Sequence, residues 1–215
     1  MDDRLATSGG SIPIVLDGDG AKDVVVLAHG AGAGMSHPFM QSVAEGLAAR
    51  SVGIVRFNFG YVEAGKKAPD RQPVLEETFR EVAAHVRSEL DPVRLFLGGK
   101  SMGGRIASHI AAAGSPCDGL VFLGYPLHPP GRPERIRDAH LYDLEVPMLF
   151  VEGTRDPFCP LETLDKVRAK LRAPVEVAVI DDGDHSFRVR KASGRSSEEA
   201  LDEVIGRVAD WIQRL

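Results

Sequence analysis

GGKSMGGR, Gly98 to Arg105, follows the apolar run Val93 to Leu97 and leads into IASHIAAAG, whose spacing predicts a helix. A serine therefore stands on a strand-to-helix turn. Read as Gly99-Lys100-Ser101-Met102-Gly103, the stretch fits G-x-S-x-G, in which the serine backbone is strained and the positions two residues to either side have no room for a Cβ. Met102 then opens the helix, and its N–H points to the space above the serine oxygen, where negative charge would form on a substrate. A phosphate-binding loop is the competing reading of Gly99-Lys100-Ser101. It requires a glycine five residues before Gly99, but Arg94 stands there, inside the strand.

A serine nucleophile needs a base, and the base needs an orienting acid. After the apolar run Met148 to Val151 comes EGTRDPFCP, which puts Asp156 in a loop past a predicted strand. VEVAVIDDGDHSF supplies a further strand, Val175 to Ile180, with His185 in the loop beyond it. The order Ser, Asp, His, each after a strand, is that of the α/β-hydrolase fold and differs from the two other common serine-hydrolase orders. His185 would take the proton of Ser101, and Asp156 would hold the imidazole tautomer. Asp181, Asp182 and Asp184 compete with Asp156 as the acid because they lie beside His185 in sequence. In VVVLAHGAGAG, Val24 to Gly34, small residues after a β-forming run let backbone N–H groups approach a substrate. Ala31 is the expected second oxyanion donor beside Met102, with Gly32 as the alternative, and His29 is read as a structural residue of that loop.

LAHGAGAG, RFNFGY, GGKSMGGR, GTRDPF and GDHSF together resemble a small dienelactone-hydrolase-like family related to testis-expressed and chromatin-complex hydrolase-like proteins. The resemblance runs from Asp23 to Leu215. It implies the α/β-hydrolase fold and a Ser101, Asp156, His185 triad, and it says more about fold and site than about the reaction. Gly60 departs from the proline that relatives tend to carry in RFNFGY.

The 215 residues are 43% hydrophobic and have no Pro- or Ser-rich divider, so one domain with a sizeable core is expected, its first ten residues flexible. A net charge of −5 with scattered basic residues argues against nucleic-acid binding. No segment approaches the roughly 18 apolar residues that span a membrane, and the N-terminus lacks a signal pattern, so a cytoplasmic protein is expected. Cys117 and Cys159 form neither a disulfide framework nor a metal pattern, and no metal or organic cofactor is expected. Strands are predicted as a first pair at Ile12 to Leu16 and Val24 to Ala28, then at Gly53 to Phe59, Val93 to Leu97, Leu120 to Gly124, Met148 to Val151 and Val175 to Ile180. Helices are predicted at Pro38 to Ala49, Leu75 to Leu90, Met102 to Ala113, Leu161 to Leu171 and Glu198 to Gln213. The result is a mostly parallel sheet with helices on both faces.

The proline-rich stretch from Gly124 to Met148 is too short for a separate cap domain, which predicts an open site. Tyr125 and Leu127 beyond one strand end, Tyr61 beyond another, and Gly32 are the expected substrate contacts. His128 and His140 are read as solvated loop residues, Lys100 as pointing away from Ser101, and Arg105 as exposed or salt-bridged. The expectation is a lidless hydrolase of a small ester or thioester, of undetermined oligomeric state. A binding or scaffold protein of the same fold, or a peptidase, is the alternative.

Overall fold

In the computed structural model, which describes residues 2–215, the run DVVVLA forms the strand β3 (Asp23–Ala28) and is buried on both sides. Val24, Val26 and Ala28 pack into one hydrophobic layer, and Val25 and Leu27 into the other. A strand apolar on both faces requires a cover on each. The covers are α1 (Pro38–Ala48) and α6 (Ser197–Arg214) on one side, and α3 (Gln72–Leu90), α4 (Met102–Ala112) and α5 (Leu161–Arg168) on the other.

The remaining strands are β1 (Asp2–Thr7), β2 (Gly10–Asp17), β4 (Val52–Phe57), β5 (Arg94–Lys100), β6 (Gly119–Leu123), β7 (Met148–Gly153) and β8 (Val175–Ile180). They form one sheet in the order β1-β2-β4-β3-β5-β6-β7-β8. The β1–β2 and β2–β4 pairs are antiparallel, and the other five are parallel. This is the α/β-hydrolase fold. Strand order reverses at β3 and β5, which makes the carboxyl ends of these two strands the natural crevice of the sheet.

Several expectations change. Residues 2–7, read as part of a flexible start, pair along their whole length with β2. β2 and β3 are not neighbours, because β4 lies between them. Gly98, Gly99 and Lys100, read as the turn, remain in β5 and are registered with β6 at Val121, Phe122 and Leu123. A Cβ on Gly98 would lie 2.3 Å from the Val121 carbonyl oxygen, so these glycines serve close strand contact as well as the turn. Phe59 lies beyond β4 and opens a short helix, α2 (Gly60–Glu63). Between β6 and β7 the described residues form a loop with one 3-10 turn, Ala139–Asp143, and no cap domain. No helix among the described residues is long and apolar enough to cross a membrane.

Candidate active site

Ser101 has φ 52° and ψ −113°, a region that a side chain enters only under compulsion, at a cost of about 1–3 kcal/mol. The compulsion is visible on both sides. A Cβ on Gly99 would sit 2.5 Å from the Ala28 carbonyl oxygen, and one on Gly103 only 2.3 Å from it. The Ser101 N–H donates to the Leu123 carbonyl at 3.0 Å, which ties the elbow to β6.

The two loops that carry the partners lock together, since a Cβ on Gly153 would lie 2.2 Å from the Gly183 carbonyl oxygen. His185 Nε2 lies 2.9 Å from Ser101 Oγ, and Nδ1 lies 2.6 Å from Asp156 Oδ2. An ionised carboxylate only accepts, so Nδ1 carries the proton and Nε2 is left to accept from the serine hydroxyl. The Asp156 side chain is wholly buried, and its other oxygen accepts the Phe158 N–H at 2.8 Å. Of the competing acids, Asp181 is exposed and the other two are engaged elsewhere. Asp182 accepts from Arg190 and lies 3.4 Å from Arg155, while Asp184 accepts the N–H groups of Ser186 and Arg188.

Opposite the elbow, the loop after β3 is held from behind. His29 Nδ1–H donates to the Gly30 carbonyl at 2.8 Å and Nε2 accepts the Phe59 N–H at 3.2 Å, which fixes the tautomer. Burial lowers the pKa of His29 below its ordinary value and keeps the ring neutral, in keeping with the structural role expected of it. Asn58 Oδ1 accepts the Met35 N–H, and Arg56 donates to the Met35 carbonyl, both at 2.8 Å. The N–H groups of Ala31 and Met102 have no acceptor among the described residues, so each is free to meet an oxyanion, whereas that of Gly32 faces the Tyr61 hydroxyl. Ala31 and Gly32 are exposed.

The expected substrate contacts fare differently. Gly32 is exposed, with φ 73°. Tyr125 and Leu127 are corrections, since both are 0% exposed and belong to the core. Gly124, with φ 67°, turns the chain inward: the Tyr125 hydroxyl reaches Ser108 Oγ at 3.1 Å and His140 Nε2 at 3.2 Å. Tyr61 is also buried, packed edge-on against His29 behind the loop. Phe158 borders the site instead, partly exposed and edge-on to the His185 ring at 4.7 Å. A lone aromatic in GTRDPF gives no sequence signal that it rests on the histidine.

His128 and His140, read as solvated, are not. His128 is 5% exposed and donates to the Pro129 carbonyl. His140 stacks on His109 at 3.7 Å, and burial, then the neighbouring His109 and Arg105, push its pKa down to about 3. Arg105 forms no salt bridge among the described residues. Its guanidinium contacts His109 Nε2 and donates to Gln72 Oε1. Below the line from Ser101 through His185 to Asp156, Lys100 donates to the His185 carbonyl at 2.5 Å, and burial pushes its pKa down to about 8. Glu152, fully buried, accepts the Tyr125 N–H at 2.6 Å, and burial raises its carboxyl well above the usual range. A carboxylate inside the otherwise apolar run MLFVEG was the sequence signal for that feature. Cys159 lies beside Glu152, and burial raises its thiol, as in a packing residue.

A family model described as an alpha/beta hydrolase domain matches residues 21–213. Solved structures with the same fold include an alpha-beta serine hydrolase homologue from Coxiella burnetii, with 20% identity, coverage of 96% of each chain and a TM-score of 0.77. A Xanthomonas campestris protein described as a serine hydrolase without lid has 20% identity and a TM-score of 0.77, over 98% of this chain and 94% of the other. A dienelactone hydrolase from Anabaena variabilis has 18% identity and a TM-score of 0.77, over 100% and 96%.

Proposed function

The chain belongs to the alpha/beta hydrolase domain family, and from that premise we propose that it is a serine hydrolase acting on an ester or thioester of modest size. The observation that carries this reading is the hydrogen-bonded line from Ser101 through His185 to buried Asp156, set on a strained elbow beside free N–H groups. Ser101 Oγ attacks the carbonyl carbon while its proton passes to His185 Nε2, and Asp156 stabilises the imidazolium. The carbonyl oxygen takes up negative charge facing Met102 N–H and either Ala31 or Gly32 N–H. Collapse expels the alcohol or thiol, protonated by His185, and leaves an acyl-serine. Water then attacks the acyl carbon with His185 as base, which releases the acid and restores the serine.

The narrower kinship with testis-expressed and chromatin-complex hydrolase-like proteins is supported by the sequence blocks alone. A peptidase would need the same residues, so the leaving group must be measured. Labelling with a fluorophosphonate tests the central claim. The wild type should take up one label and Ser101→Ala none, and matched acetyl esters, thioesters and anilides should then rank ester or thioester first. A folded wild type that takes no label would leave the scaffold reading standing.

A further inference from the structure

Lys100 adjoins the nucleophile in sequence, yet its side chain reaches under the base. Its ammonium makes a single side-chain hydrogen bond among the described residues, to the backbone carbonyl of His185 at 2.5 Å. The rings of Phe39 and Phe187 face it at 6.0 and 5.6 Å. A Cβ on Gly124 would fall 2.7 Å from the ammonium and 3.4 Å from His185 Nδ1, so the ammonium occupies the space beside the imidazole that Gly124 leaves open.

The loop it grips needs holding. Asp182 and Phe187, on either side of His185, both have positive φ, at 53° and 60°. Such residues persist only where surrounding contacts over-determine them. The grip carries charge, and a charged donor makes a stronger hydrogen bond than a neutral one. Glu152, Asp156 and Asp184 are the acids that face the ammonium, and none of them forms a salt bridge with it among the described residues. Glu152 uses one oxygen on the Tyr125 N–H, while Oε2 has no hydrogen-bond partner. An apolar pair of similar volume would often be at least as stable as a part-buried ammonium near a buried carboxyl, so stability alone does not account for the arrangement.

We propose that Lys100 is a positioning residue, whose ammonium holds the His185 carbonyl and so sets the imidazole in line with Ser101 and Asp156. This rests on the hydrolase reading of the site. A slack histidine loop would hamper proton transfer while leaving substrate binding alone, so Lys100→Met should lower kcat about ten- to a hundredfold with KM within about twofold. The double variant Lys100→Met/Glu152→Gln removes both ionisable groups. It should regain the midpoint of urea unfolding but not kcat, because the carbonyl still lacks its donor. Proton NMR gives a readout independent of turnover: the low-field Nδ1–H signal of His185, sharp in the wild type, should broaden in both variants.

Wild-type kcat in Lys100→Met, or recovery of kcat together with stability in the double variant, would overturn the proposal and leave Lys100 as a buried charge only. An unchanged Nδ1–H signal in the variants would do the same. Should Lys100→Met not fold, the double variant decides alone. Failure of the hydrolase reading would look different. The wild type would be inert to esters and to fluorophosphonate, while the NMR comparison would still report the link from Lys100 to His185.

Discussion

At the scale of single residues, the assignment of the acid is the sharpest claim. His185→Ala and Asp156→Asn should each lower kcat by about three to four orders of magnitude, measured on a short ester. Asp184→Asn should change kcat little, because the hydrogen bonds of that carboxylate serve its own turn and do not reach the His185 ring. The reverse ranking would show that the acid is misassigned. The convergence of Ser101, Asp156 and His185 was legible because strand-end position and chain order are written in the sequence. Tyr125 and Leu127 were misread because position beyond a strand fixes height above the sheet and not direction, and Gly124 rotates both side chains inward. The Lys100–His185 contact spans 85 residues and leaves no local signal at all. Its titration is nevertheless testable. Lys100 falls from its ordinary 10.5 to about 8, so between those values the unfolded chain binds more protons and stability gained from this group rises with pH. Glu152 is raised above its ordinary 4.5, so the native state holds more protons there and stability falls as pH climbs from 4.5 through the raised value. Asp156 and Asp184 also face the ammonium and stay in place in Lys100→Met/Glu152→Gln. Urea midpoints measured from pH 5 to pH 10 should therefore vary less in the double variant than in the wild type. Parallel curves would refute the account.

At the scale of elements, the seven strands that follow the first, and five of the six helices, were legible from period and apolar runs, although their ends moved. β1 was missed because DDRLAT has no apolar face to advertise it, and its order comes from backbone pairing with β2 across the Ser8–Gly9 turn. The α2 turn was missed for its shortness, four residues with no stripe. The α6 start was nearly legible: Ser196 and Glu199 form a reciprocal capping box, the Ser196 hydroxyl accepting the Glu199 N–H and the Glu199 carboxylate accepting the Ser196 N–H. Ser196→Ala should cost about 1 kcal/mol, which lowers the Tm of a chain this size by about 2–4 °C, readable by calorimetry, with kcat unchanged. The joint between β5 and α4 should be far less forgiving. A methyl on Gly103 would lie 2.3 Å from the Ala28 carbonyl oxygen and 2.8 Å from that of His29, and both are backbone. Gly103→Ala should therefore separate the elbow from the loop bearing Ala31, and fluorophosphonate labelling of whatever protein folds should fall by at least tenfold, on the order of one lost oxyanion donor. Labelling at the wild-type rate would mean that the two loops need not touch.

At the scale of the whole molecule, the question is where the chain puts its apolar surface. An enclosed acyl channel needs side chains above the nucleophile, and the connection from β6 to β7 is where this fold has length to supply them. Here its three leucines go the other way: Leu127, Leu141 and Leu144 are 0%, 0% and 3% exposed, and all three belong to the core beneath. What stands over the connection is mostly polar or proline, through Pro130, Arg132 and Glu134, with Ile136 as its large exposed apolar residue. A roofed channel would gain roughly 0.8 kcal/mol for each buried CH₂, or about fourfold in kcat/KM per methylene. An open site bordered by Phe158 and the exposed Ala31–Gly32 backbone gains that only for the first carbons. Across p-nitrophenyl esters, kcat/KM should peak between acetyl and butyryl and then level or fall, without a jump where the substrate forms micelles. A climb that continues through octanoyl and decanoyl esters would contradict this, because it would require an apolar enclosure over Ser101 that the inward-turned leucines cannot form.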